Sequence, residues 1–419
     1  MSEIVKQGYK KTEVGIIPEE WSIYELNDIG DTLIGLTYSP REVNSDGILV
    51  LRSSNIQNGR LDFSNNVYVK RSISPNIMVQ NNDILICVRN GSRDLIGKSV
   101  ILDDRTKGMS FGAFMSVFRS PYSSFLANFF KSYIFYKQVH EHLGATINQI
   151  TNKSLNSFLV ALPPLGEQQA ITSVLADVDA LLDSLEELLT KKRQLKQAAM
   201  QELLTGKTRL EGFEGEWETQ TLLEMANFSK ANFDDGDWVE AEYLTETGVR
   251  LIQTGNIGVG KFNEKDNKKY ISNESYTKLR CKEIYPGDLL ICRLAAPAGR
   301  ACILPNIEED KIIVSVDVTI FRPDITIALH SYLNQIMAQE NWLQEVAEHC
   351  GGTTHSRISR SALGELSVAI PPLKEQKAIA AILSEMDAEL EALEERVSKT
   401  RDLKQGMMQE LLTGRTRLV

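Results

Sequence analysis

The feature that most constrains this chain is a stretch written twice. Residues 162–210 read LPPLGEQQAITSVLADVDALLDSLEELLTKKRQLKQAAMQELLTGKTRL, and residues 370–418 read IPPLKEQKAIAAILSEMDAELEALEERVSKTRDLKQGMMQELLTGRTRL. About 29 of 48 positions match at a constant offset of about 208, so the chain is an internal duplication. Each copy is bounded as a helix. Pro163-Pro164 and Pro371-Pro372 hold the backbone extended ahead of it, and Gly206 and Gly414 stand where a left-handed C-terminal cap is wanted. Between these marks lie about 40 residues, or about 60 Å of helix.

Apolar spacing states what the helices touch. Ile171, Leu175, Val178, Leu182, Leu185 and Leu189 step by four and three, as do Ile379, Leu383, Met386, Leu390, Leu393 and Val397. That is a heptad seam about three heptads long. The next seam positions are polar (Lys192, Thr400), and the stripe is expected to resume off phase at Leu195 and Leu403. Shared register and a shared break predict that the two helices pack on each other.

A chain of 419 residues with 42% hydrophobic content has material for two or three cores. No apolar run is long enough to span a bilayer, and Met-Ser-Glu-Ile-Val-Lys-Gln does not begin a signal peptide. The five cysteines lack CxxC spacing; Cys87 (DILIC) and Cys292 (DLLIC) read as buried thiols, and a reducing, cytoplasmic setting is expected. The net charge of −10 argues against a polyanionic partner, but its distribution weakens the argument. Residues 165–205 hold seven acidic against four basic side chains and residues 373–413 nine against six, so these helices carry −6 of the total.

Residues 31–160 and 227–368 are two sister domains. Leu51-Arg52-Ser53-Ser54-Asn55-Ile56 aligns with Ile252-Gln253-Thr254-Gly255-Asn256-Ile257, Asn82–Cys87 with Gly287–Cys292, Gly97-Lys98 with Gly299-Arg300, and Val117-Phe118-Arg119 with Ile320-Phe321-Arg322. Short β-branched runs punctuated by Gly, Asn and Asp predict a mostly β core. A helix over 123–142 or 326–348 and a polar loop at 144–155 or 351–363 follow. Glu20-Trp21 also aligns with Glu216-Trp217, so the repeat is cyclic, and the last helix should end beside the first segment. The division expected is 1–162, 163–210, 211–370 and 371–419, in an α+β fold. Because the helices have kept more identity than the domains, the helices should meet the same partner twice while the domains face different targets.

Catalytic motifs fail on spacing. Gly97-Lys98-Ser99 would need Gly at position 92 to make a P-loop, and Ser92 stands there. No G-x-G-x-x-G follows a strand, His140-Glu141-His142 lacks HExxH spacing, and His349, Cys350 and His355 have no sister cluster, so no metal site is expected. The chain reads as non-catalytic. DNA reading fits what remains. Polar and cationic side chains gather on Gly-rich loops: Arg52, Ser54 and Asn55; Arg89, Asn90, Arg93 and Lys98; Asn148, Gln149, Asn152 and Lys153. The sister set is Gln253, Thr254 and Asn256; Arg293 and Arg300; Thr354, His355, Arg357 and Arg360. Arginine can bridge guanine O6 and N7, and Asn or Gln adenine N6 and N7, while Lys, Ser and Thr more often hold phosphates. A coiled-coil scaffold without sequence-specific DNA contact is the alternative.

With its two PPLxEQ…LLTG-K/R-TRL helices and two divergent domains each opened by Glu-Trp, the chain resembles the specificity subunit of bacterial type I restriction–modification enzymes. The resemblance implies that each large domain reads one half of a split site in double-stranded DNA. It implies that the long helices form an antiparallel coiled coil that spaces the domains and docks two methyltransferase subunits. Those subunits would carry S-adenosylmethionine (AdoMet) and methylate adenine, separate restriction subunits would carry ATP and Mg²⁺, and this chain would hold no cofactor.

Overall fold

The computed structural model describes residues 5–143, 148–352 and 356–418. The chain divides into two compact units, Met1–Glu186 with Glu395–Val419, and Glu187–Glu394. Both boundaries fall inside the long helices, Leu165–Leu203 and Leu373–Leu411, each of 39 residues and about 58 Å long. Each unit therefore owns the first half of one long helix and the second half of the other.

In the first unit these halves run antiparallel, tied by Lys404–Asp179 (2.5 Å) and Arg401–Glu186 (2.6 Å). In the second unit the same ties recur with the partners exchanged: Lys196 pairs with Asp387, and Arg193 with Glu394 (2.5 Å). The seam residues Ile171 and Leu175 pack with Met408, Leu411 and Leu412 in the first unit's core, and Ile379 and Leu383 with Leu203 and Leu204 in the second's. Leu182, Leu185, Leu189 and Val397 are buried; Val178, Met386, Leu390 and Leu393 are half-buried. The polar break is filled by a buried Thr400 and by Lys192 paired with Glu389 at 2.6 Å. Beyond it the expected continuation is corrected. Leu195 and Leu403 are 48% and 59% exposed, and the inward positions are taken by Ala199, Met200 and Leu203, and by Met407, Met408 and Leu411.

Each unit builds the same four-stranded antiparallel sheet. In the first the order is Ser99–Ile101, Ile84–Cys87, Met115–Arg119, Asp31–Ile34; in the second it is Ala301–Ile303, Leu289–Cys292, Val318–Phe321, Phe233–Asp235. A second sheet holds a short parallel pair in both units, Ser110–Phe111 beside Val43–Leu51 and Ile312–Val314 beside Val249–Ile252. Arg119 grips Asp83 with two bonds (2.8 and 2.7 Å), and Arg322 grips Asp288 likewise (2.7 and 2.6 Å), which fixes the aligned strands to their neighbouring turns. Both Cys87 and Cys292 are buried, and burial pushes their thiols up.

The single helix expected after each sheet is two helices, Ser123–Phe129 with Tyr133–His142 and His330–Met337 with Glu340–Glu348. In the first unit Ser132 makes the break: its hydroxyl accepts from Phe135 N and caps the second helix. The turn lets Phe129, Phe130 and Phe135 meet edge to face. Among the described residues no helix is long and apolar enough to cross a membrane, and no group of three or more His, Cys, Asp or Glu is arranged to hold a metal ion.

The ends of each repeat close on its beginnings. In the first unit Arg417 binds Glu167 through Nε (2.6 Å) and Nη2 (2.9 Å), Glu167 also accepts from Trp21 Nε1 (2.9 Å), and Tyr9 donates to Gly414 O (2.9 Å). In the second unit Arg209 binds Glu375 through two bonds of 2.6 Å and lies over the Trp217 ring at 5.9 Å. The PPLxEQ glutamine turns back on its own proline: Gln168 and Gln376 donate to Pro163 O and Pro371 O at 2.8 Å. Gly206 and Gly414 take positive φ (+69° and +67°) and lie against Trp217 and Trp21. The cyclic permutation expected from Glu-Trp is thus physical: the C-terminal helix ends beside the N-terminal strand segment.

Candidate nucleic-acid interface

The loops singled out in the first sister domain come together at one end of its sheets. The tight turn Ser53–Asn55 meets the 88–93 loop through Asn90 Nδ2 and Ser53 Oγ (3.1 Å). That loop meets the 148–150 segment through Asn148 Nδ2 to Gly91 O (3.0 Å), Asn90 N to Asn148 O (3.3 Å), and a β-bridge between Arg89 and Gln149. In the second unit Arg300 Nη2 donates to Thr254 O (3.0 Å), Ala295 N to Ser356 O (3.1 Å), and Leu294 bridges Arg357. Three loops far apart in sequence converge in each unit, on the same strands. Gly97 and Gly299, at φ +87° and +83°, return the hairpins that carry the middle loop, each donating its N–H to the cysteine carbonyl opposite (2.8 and 2.7 Å). The Gly97-Lys98-Ser99 run is therefore a hairpin return between antiparallel strands.

The singled-out side chains divide in two. Arg89, Arg93, Lys153, Gln253 and Arg357 are exposed, and Ser54, Asn90, Lys98, Asn148, Gln149 and Thr254 are half-buried at the rim. Of the others, Asn55, Asn256 and Arg293 are buried, and Arg52, Asn152, Arg300 and Arg360 are half-buried with partners inside their own unit. Asn55 and Asn256 are buried, and each is the spine of its turn: Oδ1 accepts from Arg52 N (2.9 Å) or Gln253 N (3.0 Å), while Nδ2 donates to Asp62 O or Asn263 O (both 2.9 Å). Arg293 is buried; it donates to Ile358 O and Val316 O and pairs with Asp235 at 3.0 Å, and burial pulls its pKa below the ordinary value. Arg300 spends its guanidinium on the carbonyls of Ile257, Thr254 and Pro297. Arg360 pairs with Asp234, Arg52 donates to Asn65 Oδ1 (3.0 Å), and Asn152 Oδ1 accepts from Ser116 Oγ (3.0 Å). For Asn55, Asn256 and Arg293 the expectation of a side chain free to read a base is corrected: they are buried and internal partners have taken their polar ends, whereas Arg300 and Arg360 are half-buried with partners in their own unit. Thr354 and His355 lie outside the described residues.

Two residues in this region were not singled out from the sequence. Phe114 is 57% exposed with the Arg89 guanidinium 4.9 Å from its ring centre, and Asp317 pairs with Arg357 at 3.0 Å. Each immediately precedes one of the aligned strands, so the available signal was position: both stand just ahead of residues in equivalent register, Met115 opposite Cys87 and Val318 opposite Cys292.

The family model described as type I restriction modification DNA specificity domain matches twice, over residues 18–197 and 214–399. The chain belongs to that family. It is 25% identical over 407 residues to the type I restriction enzyme EcoKI specificity subunit of Escherichia coli (strain K12), covering 92% of this chain and 86% of that one. It is 24% identical over 435 residues to the StySPI specificity subunit of Salmonella potsdam, covering 95% and 89%. Its fold is similar to the S subunit of a type I restriction–modification system from M. genitalium (TM-score 0.58, 16% identity, 93% and 96% covered). A chain solved in work on complex assembly and conformational transition of the type I R-M system gives the same TM-score of 0.58 at 17% identity, with 95% and 99% covered.

Proposed function

We propose that this chain is the reading subunit of a type I restriction–modification complex, in which each unit contacts one half of a bipartite site in double-stranded DNA. The observation that carries the reading is the repeated convergence of three loops on one scaffold, with different side chains at the rim: Arg89, Asn90, Arg93 and Gln149 in one unit, Gln253, Thr254 and Arg357 in the other. A shared scaffold with unshared exposed donors suits two different base sequences. Two methyltransferase subunits, carrying AdoMet, dock on the chain, and restriction subunits that use ATP and Mg²⁺ join through the complex; recognition is what this chain contributes.

The test is reconstitution. With labelled AdoMet and target-bearing DNA, the highly purified chain alone is expected to transfer no methyl group, and adding the methyltransferase subunits should produce methylation confined to one sequence pattern. Methyl transfer by the chain alone would overturn the reading. Equal binding of the assembled complex to random and target duplexes would reduce the chain to a scaffold.

A further inference from the structure

Three backbone positions meet at the same point of each unit. The carbonyl of Phe114 accepts from Val88 N and Arg89 N (both 3.1 Å), and the carbonyl of Asp317 accepts from Arg293 N (2.8 Å). The bridges Arg89–Gln149 and Leu294–Arg357 complete each set. Positions 89, 114 and 149 thus correspond to 294, 317 and 357, occupied by Arg, Phe and Gln in one unit and by Leu, Asp and Arg in the other. The arginine has moved from the second loop to the third, and the residue between them has changed with it. In the first unit the Arg89 guanidinium lies over the Phe114 ring, and among the described residues it makes no ion pair or hydrogen bond. In the second, Arg357 is held by Asp317 while its side chain stays 48% exposed.

We propose that Phe114 and Asp317 are positioning residues for the arginine that reads a guanine in each half-site, Arg89 in the first and Arg357 in the second; this rests on the DNA-reading function proposed above. A guanidinium recognises guanine through two parallel N–H bonds to O6 and N7, so its plane must be set before contact. An unsupported surface arginine loses its rotamer freedom on binding, and a support that fixes the plane beforehand removes that cost. The two supports act differently. Contact with the Phe114 ring restricts the guanidinium and leaves all five N–H donors available. The carboxylate of Asp317 occupies one edge, leaves the other for a base, and repels phosphate, so Arg357 is kept off the backbone. Phe114 is not needed to fill a core: it is mostly exposed, and the strand it precedes is held by its own ladder.

The experiment uses the assembled methyltransferase complex and duplexes changed at one base pair at a time, after mapping of the methylated sites has defined both half-sites. Arg89→Ala is expected to lower discrimination about tenfold or more at one G·C pair of the first half-site and nowhere else. Phe114→Ala should lower discrimination at that same pair by about threefold to tenfold, Phe114→Tyr should restore it, and Arg89→Ala/Phe114→Ala should be no worse than Arg89→Ala. Asp317→Ala and Arg357→Ala should coincide in the same way at one pair of the second half-site. A Phe114→Ala effect at a different pair, an equal loss on all sequences, or no effect would overturn the inference. Replacement of residues 31–160 by a relative's domain separates the two levels. If that replacement changes the first half-site while Arg89→Ala does not, only the positioning inference fails; if the replacement changes nothing, the DNA-reading function fails with it.

Discussion

Glu167→Ala should lower the unfolding free energy by about 3–5 kcal/mol, the cost of removing one partner from a buried ion pair. The carboxylate is 3% exposed and serves both Arg417 and the Trp21 indole, which is itself fully buried. Alanine would leave the indole N–H without an acceptor and would leave Arg417 only its contact with Glu20 at 2.9 Å. The pair joins residues 250 positions apart, tying the segment that follows one long helix to the first turn of the other. Glu167→Gln keeps an acceptor for Trp21 while losing the charge, so it should fall between wild type and alanine. Urea unfolding at unchanged slope measures both. An unaltered midpoint for Glu167→Ala would mean that the junction does not hold the first unit together.

Replacing residues 31–160 with the matching domain of a relative should change one half-site completely and leave the other unaltered. The loops at 52–55, 89–93 and 148–153 all lie within the exchanged segment, and those at 253–257, 293–300 and 356–360 lie outside it. The exchange has a packing condition. Phe125, Leu126, Phe129, Phe135, Phe158 and Val160 share a core with Trp21, Ile171, Leu175, Met408 and Leu411, which stay behind. A donor with similar volumes at the contact should fold normally, whereas one that leaves methyl-sized voids loses about 1 kcal/mol for each. Sequencing of methylated sites reads the result. If both half-sites changed together, recognition would not be divided between the units.

The long helices were legible because duplication, flanking prolines and a heptad seam all point the same way, and the aligned strand pairs were legible from the few residues they share. What identity meant was harder to read. The similarity of PPLxEQ, LLTG-K/R-TRL and Glu-Trp suggested a partner met twice, yet Glu167 binds both Trp21 and Arg417, Glu375 binds Arg209 with Trp217 beside it, and Gln168 and Gln376 turn back on Pro163 and Pro371. Such internal ties constrain sequence without any partner. The site was legible as loops and not as side chains. Asn55 and Asn256 resemble base readers in composition, but an amide has donor and acceptor ends that also suit a tight turn, and burial decided for the turn. Leu195 and Leu403 fit an apolar stripe in projection, but Lys196 and Lys404 next to them are drawn inward by Asp387 and Asp179, and the leucines face solvent. Phe114 and Asp317 carried only a signal of position, because their partners, Arg89 and Arg357, are 25 and 40 positions away.

The measurement closest to the central claim is the map of methylated adenines made by the complete methyltransferase complex of the unaltered chain. Two recognition units predict a bipartite pattern: two short specified half-sites, a spacer of fixed length and free sequence, and one methylated adenine in each half. A single uninterrupted motif, or methylation with no shared sequence pattern, would contradict the assignment of one half-site to each unit.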